Sequence, residues 1–331
     1  MKNILLFPAL IALLLLSACK EKKEAEVAVT TSGSFVCPMK CEGEKVYSES
    51  GKCPVCGMDL VPMTDVGSSP LYQVKLVTSP ETPEPGKPVK LVFTPRLKSD
   101  SVAQVPLDVV HEKKMHVIIV SSDMSWYDHI HPEYQADGTY TINEIFPEGG
   151  EYIVFADYQP TGAGNHVDRM TVAVNGQSQI RQPFTTQSLT TETDGYTVSL
   201  VPADGKLITN NLMHLGVDVQ DKGKPVTNFE NIMGAKGHLV IISADGQKYL
   251  HVHPDEVDGK LDLHTQFDQA GIYRAFFQFQ TNGKLHTSYF TLDVKEGKPG
   301  EINSTHSHEG DDHSHDHGDG EHSHDEEGHE H

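Results

Sequence analysis

The feature that most constrains this chain is that its middle is written twice. Met115-His116-Val-Ile-Ile-Val120 returns as Gly237-His238-Leu-Val-Ile-Ile242, and His129-Ile-His131-Pro132 returns as His251-Val-His253-Pro254. Gly150-Glu-Tyr-Ile-Val-Phe-Ala156 matches Gly271-Ile-Tyr-Arg-Ala-Phe-Phe277, and His166 through Val174 matches His286 through Val294. A duplication on this scale predicts two similar domains. Their local pattern is strand throughout. Val74–Val77, Pro88–Phe93, Met115–Val120, Tyr140–Ile142, Glu151–Phe155 and Met170–Val174 are rich in β-formers, with turn signals at Asp137-Gly138 and Gly149-Gly150. Short strands at this spacing predict an antiparallel β-sandwich. The expected class is mainly β, with sandwiches over 72–175 and 195–296 joined by a linker over 176–194.

The histidines repeat with the strands. His116, His129 and His131 in the first copy, and His238, His251 and His253 in the second, keep one spacing: thirteen residues, then two. Residues i and i+2 of a strand share a face, so His129 and His131 point one way, as do His251 and His253. A neighbouring strand would bring His116 or His238 alongside. Three imidazoles on a rigid sheet suit Cu(II) or Zn(II), with His166 and His286 as a fourth member in each copy. The competing reading is a structural corner whose histidines bond to backbone carbonyls. Retention of all four in both copies favours metal. His111, Met115 and Met233 lie nearby as possible extra ligands.

Ahead of the repeat stands a block of four cysteines, Cys37, Cys41, Cys53 and Cys56, in F35-V-C-P-M-K-C41 and G51-K-C-P-V-C-G-M-D-L-V-P-M63. About thirty residues cannot bury enough apolar surface to fold unaided, so residues 35–64 need a staple. A spacing of C-x3-C, eleven residues, then C-x2-C is close to that of structural zinc sites. Two disulfides are the alternative outside the cytoplasm. Met39, Met58 and Met63 supply the soft surroundings that suit Cu(I) and so favour metal. The motif C-P-M followed by G-K-C-P-V-C-G-M-D-L-V-P resembles the small heavy-metal-binding domain of periplasmic copper/silver efflux adaptors and copper P-type ATPases. That resemblance implies Cys37, Cys53 and Cys56 as ligands. The family's usual His after C-P-M is Lys40 here, followed by Cys41, which would make the ligand set all-sulfur. The repeated domains in turn resemble immunoglobulin-like domains of bacterial envelope proteins that accompany metal-resistance systems, which implies no reaction.

The two ends carry different signals. Lys2, the apolar run Ile4–Leu16 and Leu16-Ser17-Ala18-Cys19 have the form of a lipoprotein signal over 1–18, too short to span a membrane. Cys19 would be lipidated, residues 19–34 would be a polar tether, and 65–71 a linker. The expected location is the cell envelope, lipid-anchored in the outer membrane and facing periplasm or surface. Residues 297–331 are low in complexity and are expected to be disordered. From Glu301 onward there are eleven Asp or Glu, nine His and no Lys or Arg, against a net charge of −21 for the whole chain. That composition argues for cations as partners and against nucleic acid. The interspersed histidines, His306 to His331, suit loose binding of divalent metal.

No phosphate-binding loop with Lys, G-x-S-x-G elbow or H-E-x-x-H is present. Asp157 and Asp168, near His166, lack a nucleophile. The chain therefore reads as a non-catalytic envelope protein that sequesters or delivers copper or zinc, with a metal efflux system as a candidate partner. The alternative is an envelope interaction protein whose cysteine block is a structural zinc staple.

Overall fold

The computed structural model describes residues 35–36, 46–47, 51–55, 60–62, 71–179, 181–257 and 259–302. Cys19, Cys37, Cys41, Cys56 and the tail histidines fall outside them. Among the described residues every regular element is a strand. Three short ones, β1 (Phe35–Val36), β2 (Val46–Tyr47) and β3 (Val61–Pro62), make a small sheet in the order β2-β1-β3.

The first copy contains β4 (Tyr72–Ser79), β5 (Pro88–Leu97), β6 (Met115–Ser121), β7 (Tyr127–Ile130), β8 (Glu133–Tyr134), β9 (Tyr140–Ile145), β10 (Gly150–Tyr158) and β11 (His166–Val174). The second contains β12 (Thr190–Thr193), β13 (Tyr196–Pro202), β14 (Leu212–Asp221), β15 (Lys224–Pro225), β16 (His238–Ser243), β17 (Tyr249–Val252), β18 (Asp255–Val257), β19 (Lys260–Gln266), β20 (Gly271–Thr281) and β21 (Lys284–Val294). In the first, sheet β4-β5-β9-β8 covers sheet β11-β10-β6-β7. In the second, sheet β12-β13-β14-β19-β18 covers sheet β17-β16-β20-β21, with β15 paired to β14. Strand pairing within these sheets is antiparallel, as the short-strand pattern predicted.

Each sandwich has its own core. Leu91, Phe93, Val117, Ile119 and Val154 fill the first, and Leu215, Leu239, Ile241, Phe277 and Phe290 the second. Strands β5 and β14 alternate between buried and more exposed positions, as half-buried strands do. Strands β6 and β16 are buried along their whole length. Their sequences explain why: they are apolar at both parities, so both faces need cover.

The second face of each is covered by the other copy. Ile118, Val120, Ile153 and Phe155 pack against Val240, Ile242 and Phe276 in a third core between the sandwiches. Tyr127 stacks on Phe276 with centroids 4.5 Å apart, and Tyr249 stacks on Phe155 at 4.9 Å. By the repeat, Tyr127 corresponds to Tyr249 and Phe155 to Phe276, so the contact is made reciprocally, like an isologous dimer within one chain. The β16–β17 turn seats on the first sandwich: Arg169 Nε–H donates to the Gly246 carbonyl at 2.8 Å. Gly246 has φ +67°, which favours glycine, and a Cβ there would lie 2.6 Å from Ile153 Cδ1, so a larger residue would also have to move that side chain.

The cysteine block also reaches the second sandwich. Cys53 and Leu60 are buried together, with Tyr47, Val55 and Leu212 of β14 against them.

Two substitutions probe the interface. Phe276→Ala should lower the unfolding free energy by about 3–5 kcal/mol, the usual effect of emptying a fully buried aromatic site. Tyr127→Phe should be neutral or stabilising, by up to about 1 kcal/mol, because the Tyr127 hydroxyl is buried with no hydrogen-bond partner among the described residues. Urea denaturation of both variants beside the parent protein measures this.

Candidate metal centre

The interface core ends in histidine. His116, the second residue of β6, lies on the same face as Ile118 and Val120, which is the face turned to the other sandwich. On β7, His129 lies opposite Ile118 and so shares that face. His131 follows just past the strand end. Their ring nitrogens converge. His131 Nε2 is 3.1 Å from His116 Nδ1 and 3.1 Å from His129 Nε2, and the last two are 3.2 Å apart.

The opposite nitrogens define the tautomers. His116 Nε2–H donates to the Val110 carbonyl at 3.0 Å, which leaves Nδ1 as a lone pair. His129 Nδ1 is 3.0 Å from Gln278 Oε1. The Gln278 amide NH2 donates to Thr287 Oγ1, so Oε1 is the acceptor and His129 Nε2 is also a lone pair. At most one proton, on His131, can then sit among three nitrogens in mutual contact. Such a triangle is repulsive as a hydrogen-bonded corner and suited to a cation. Tetrahedral ligands about 2.0–2.1 Å from an ion lie about 3.3 Å from one another, near the spacing seen here, with a fourth position left open.

The second copy repeats the contact between the first two histidines, and its third stands beside them without a nitrogen contact to either. His238 Nδ1 is 3.2 Å from His251 Nε2, and His238 Nε2–H donates to the Ile232 carbonyl at 2.8 Å. His253 lies with its ring centroid 4.6 Å from both partners. Its Nε2 is buried with no hydrogen-bond partner among the described residues, an orphan that a metal would resolve.

The two triads adjoin. His129 is 5.3 Å from both His238 and His251 by ring centroids, and these three also offer nitrogens within 4.8 Å of one another. Supporting bonds cross between the copies. Gln278 of the second holds His129 of the first, while Asp157 Oδ2 of the first lies 3.2 Å from His251 Nδ1 of the second. Asp157 and Gln278 are equivalent positions, each paired across its sheet with the first histidine of its own triad. Each copy therefore orients a histidine of the other. His111, in the left-handed region at φ 48°, stacks on His253 at 3.8 Å from the first copy.

Burial sets the charge state. Desolvation, followed by the neighbouring imidazoles, holds His129, His251 and His253 well below the ordinary histidine range. The same causes bring His131 down to about 3, and burial brings His238 down to about 4. Burial also raises the Asp157 carboxyl. The rings are therefore neutral at pH 7, the form in which imidazole ligates.

The fourth predicted members do not join. His166 pairs with Tyr158, and Tyr158 with Met115, so His166 and Met115 face the first sandwich's own core. His166 makes edge contacts with Tyr72 and Tyr158 instead. His286 pairs with Phe279 on the core side of β20, and its Nδ1–H donates to Asp194 at 2.7 Å. The reason is parity: each is displaced by one residue from the row that holds His116 or His238. Cys53 is buried, while Cys37, Cys41 and Cys56 lie outside the described residues. Asp157 and Gln278 were missed, because nothing in a single sequence shows a bond between copies. Asp168 is structural: it accepts from the Val74 amide and the Tyr158 hydroxyl, tying β4 to β11.

These histidines make the metal-free protein acid-sensitive. Their folded-state pKa values lie below the unfolded value of 6.5, so acid protonates the unfolded chain first. Stability is intact above about pH 6.5 and falls as pH drops toward 4. The rise at Asp157 acts oppositely, but it is one group against five. Urea denaturation at pH 7.0 and 4.5 should show a loss of at least about 3 kcal/mol, the contribution of a single such histidine over two pH units. A His129→Phe/His251→Phe protein should lose less.

Comparison with known proteins bears on both parts of the chain. Residues 35–63 match the heavy metal binding domain family. No curated protein matches the chain. Among solved structures it is similar to FdeC, an Escherichia coli adhesin, at 14% identity and TM-score 0.22, covering 67% of this chain and 63% of that one. A tetra-tandem repeat of a large adhesion protein gives 16% identity and TM-score 0.23, covering 67% and 48%. Trypsin-activated α2-macroglobulin from Escherichia coli gives 10% and 0.25, covering 72% and 17%. The chain spans less than two thirds of the length of each of these, and at such TM-scores the likeness carries no functional argument. Residues 68–176 and 191–296, the two sandwiches, each match one further family. By that match over more than half its length, the chain belongs to the family of the domain of unknown function DUF8832, which it carries in two copies behind a heavy metal binding domain.

Proposed function

We propose that this protein binds copper or zinc and passes it on at the cell envelope, held there by a lipid on Cys19, without catalysing a reaction. The observation that carries the reading is the double triad: six imidazoles meet across a reciprocal interface, five of them held neutral by burial, and the first three turn their nitrogens on one another. The heavy metal binding domain supports it independently. An immunoglobulin-like identity for the two sandwiches, and a metal efflux system as the recipient, fit the same reading.

Charge narrows the metal. Among the described residues the carboxylate hydrogen-bonded to this group is Asp157, through His251 alone, and Lys113 lies close enough to His131 to oppose its protonation. Two divalent ions would bring four positive charges into a buried site with one negative partner, at a steep desolvation penalty. Two Cu(I) ions, or one Zn(II), suit it better. An open fourth position on each triad gives an incoming ligand a place to attach, which a protein that releases its ion requires.

Titration of metal-free protein, followed by elemental analysis, tests this. The double triad should take two Cu(I) or one Zn(II). His129→Ala/His251→Ala should lose those ions while keeping any held by the cysteine block. Equal stoichiometry in parent and variant overturns the reading. Gln278→Leu should weaken binding at the first triad by about 10–100-fold, as loss of a supporting bond to a ligating histidine does. Isothermal titration reads this. For the anchor, Cys19→Ala should move the protein from the membrane fraction to the soluble fraction of cells.

A further inference from the structure

A second group of metal-ligating side chains sits outside the double triad, on the outer sheet of the second sandwich. In the β14–β19 pair His214 lies opposite His264, and Gly216 lies opposite Asp262. Met213, Leu215, Leu261 and Leu263 point into the core, so His214, Asp262 and His264 face outward together. The two rings are 4.3 Å apart. Asp262 Oδ2 is 3.5 Å from His214 Nδ1 and 3.2 Å from His264 Nε2. Each residue offers one ligand atom, all within 4.8 Å of one another. From β18, Asp255 Oδ2 stands 3.8 Å from His264 Nε2.

The histidines have reason to be there beyond folding. His264 Nδ1 is buried with no hydrogen-bond partner among the described residues. Whichever nitrogen of His264 carries the proton, Nδ1 is left unused, as a bare donor or a bare lone pair. Opposite Asp262, Gly216 places no side chain over the carboxylate. The Asp262 side chain is 33% exposed and that of Asp255 49%, so solvent reaches the group, unlike His116 or His238.

Position adds a role. One cavity of about 250 Å³ is lined by His264 and Asp255 and also by His253 and His111. It therefore joins this group to a member of the double triad, and its volume admits several waters. On the other side, Leu212 shares the outward face of β14 with His214 and packs against Cys53 and Leu60 of the heavy metal binding domain.

The geometry points to His214, Asp262 and His264 as a third site, for a hydrated divalent transition-metal ion, through which the double triad is loaded. Two imidazoles and a carboxylate, with further positions open to water, suit Zn(II), Co(II), Ni(II) or Cu(II). The carboxylates supply the negative charge that the buried triads lack, so the ion can arrive still hydrated and shed water as it passes to His253. The loading role rests on the double triad being a metal site; the third site does not.

Co(II) is the probe, since its visible spectrum separates a three-imidazole site from one with a carboxylate. Parent protein should bind one more Co(II) than His264→Gln, and rapid mixing should show the double triad of the variant filling at least tenfold more slowly to the same final level. Asp262→Asn, which keeps shape and removes charge, should repeat both effects and covers the case in which the histidine change disturbs the sheet. Equal stoichiometry and equal rate overturn the proposal. Loss of one ion with an unchanged rate overturns loading and leaves the site. If the parent never fills the double triad yet still takes the ion that His264→Gln loses, the proposed function falls and the third site stands.

Discussion

The second faces of β6 and β16 are what the rest of the molecule depends on. A strand apolar at both parities cannot end a sandwich in water, and here two such strands, one from each copy, cover each other. Ile118, Val120, Val240 and Ile242 are wholly buried as a result. The reciprocal stacks of Tyr127 on Phe276 and Tyr249 on Phe155 set the two inner sheets in one relation. His116, His129, His238 and His251 lie on those same faces, at one end. Docking the sheets therefore brings the two histidine sets together, although His116, His129 and His131 converge within the first copy by themselves.

The swapped supports follow from that relation. A pair of equivalent positions, Asp157 and Gln278, each reach across to the partner copy's middle histidine. Duplication explains the equivalence, and divergence explains the difference. One copy gives its neighbour's histidine a carboxylate, which would offset the charge of a bound cation. The other gives a neutral amide, which orients without offsetting. The two triads therefore differ in their supports, a carboxylate at His251 and an amide at His129.

Burial keeps these rings in the form that can ligate, at a cost to stability. Five histidines are kept neutral by desolvation, which destabilises the metal-free protein in acid, and His253 Nε2 is left without a hydrogen-bond partner among the described residues. Natural cores seldom hold such groups unless something resolves them. The carboxylate-bearing group on β14 and β19 has the complementary character: it is wet, anionic and reachable. A graded path from anionic and hydrated to neutral and buried is a physically sensible way to move a cation inward, since each step removes water only where ligands replace it.

The strands, their antiparallel pairing and the duplication were legible in residues alone, because period-two patterning and turn chemistry are local. The triads were legible too, since thirteen-then-two spacing recurred and i, i+2 side chains share a face. His166 and His286 were misplaced because spacing along a chain does not reveal the parity at which a distant strand pairs, and one residue of register moves a side chain to the other face. Asp262 and His264 carried a usable signal, the alternation in Leu261-Asp-Leu-His264, but His214 joins them only through β14–β19 pairing. By itself, then, the sequence determined what each copy folds into and which ligands each copy owns, since those follow from neighbours along the chain. Only tertiary structure decided that the two sets of ligands meet, because two apolar faces without cover can be satisfied by each other, and nothing local says by which.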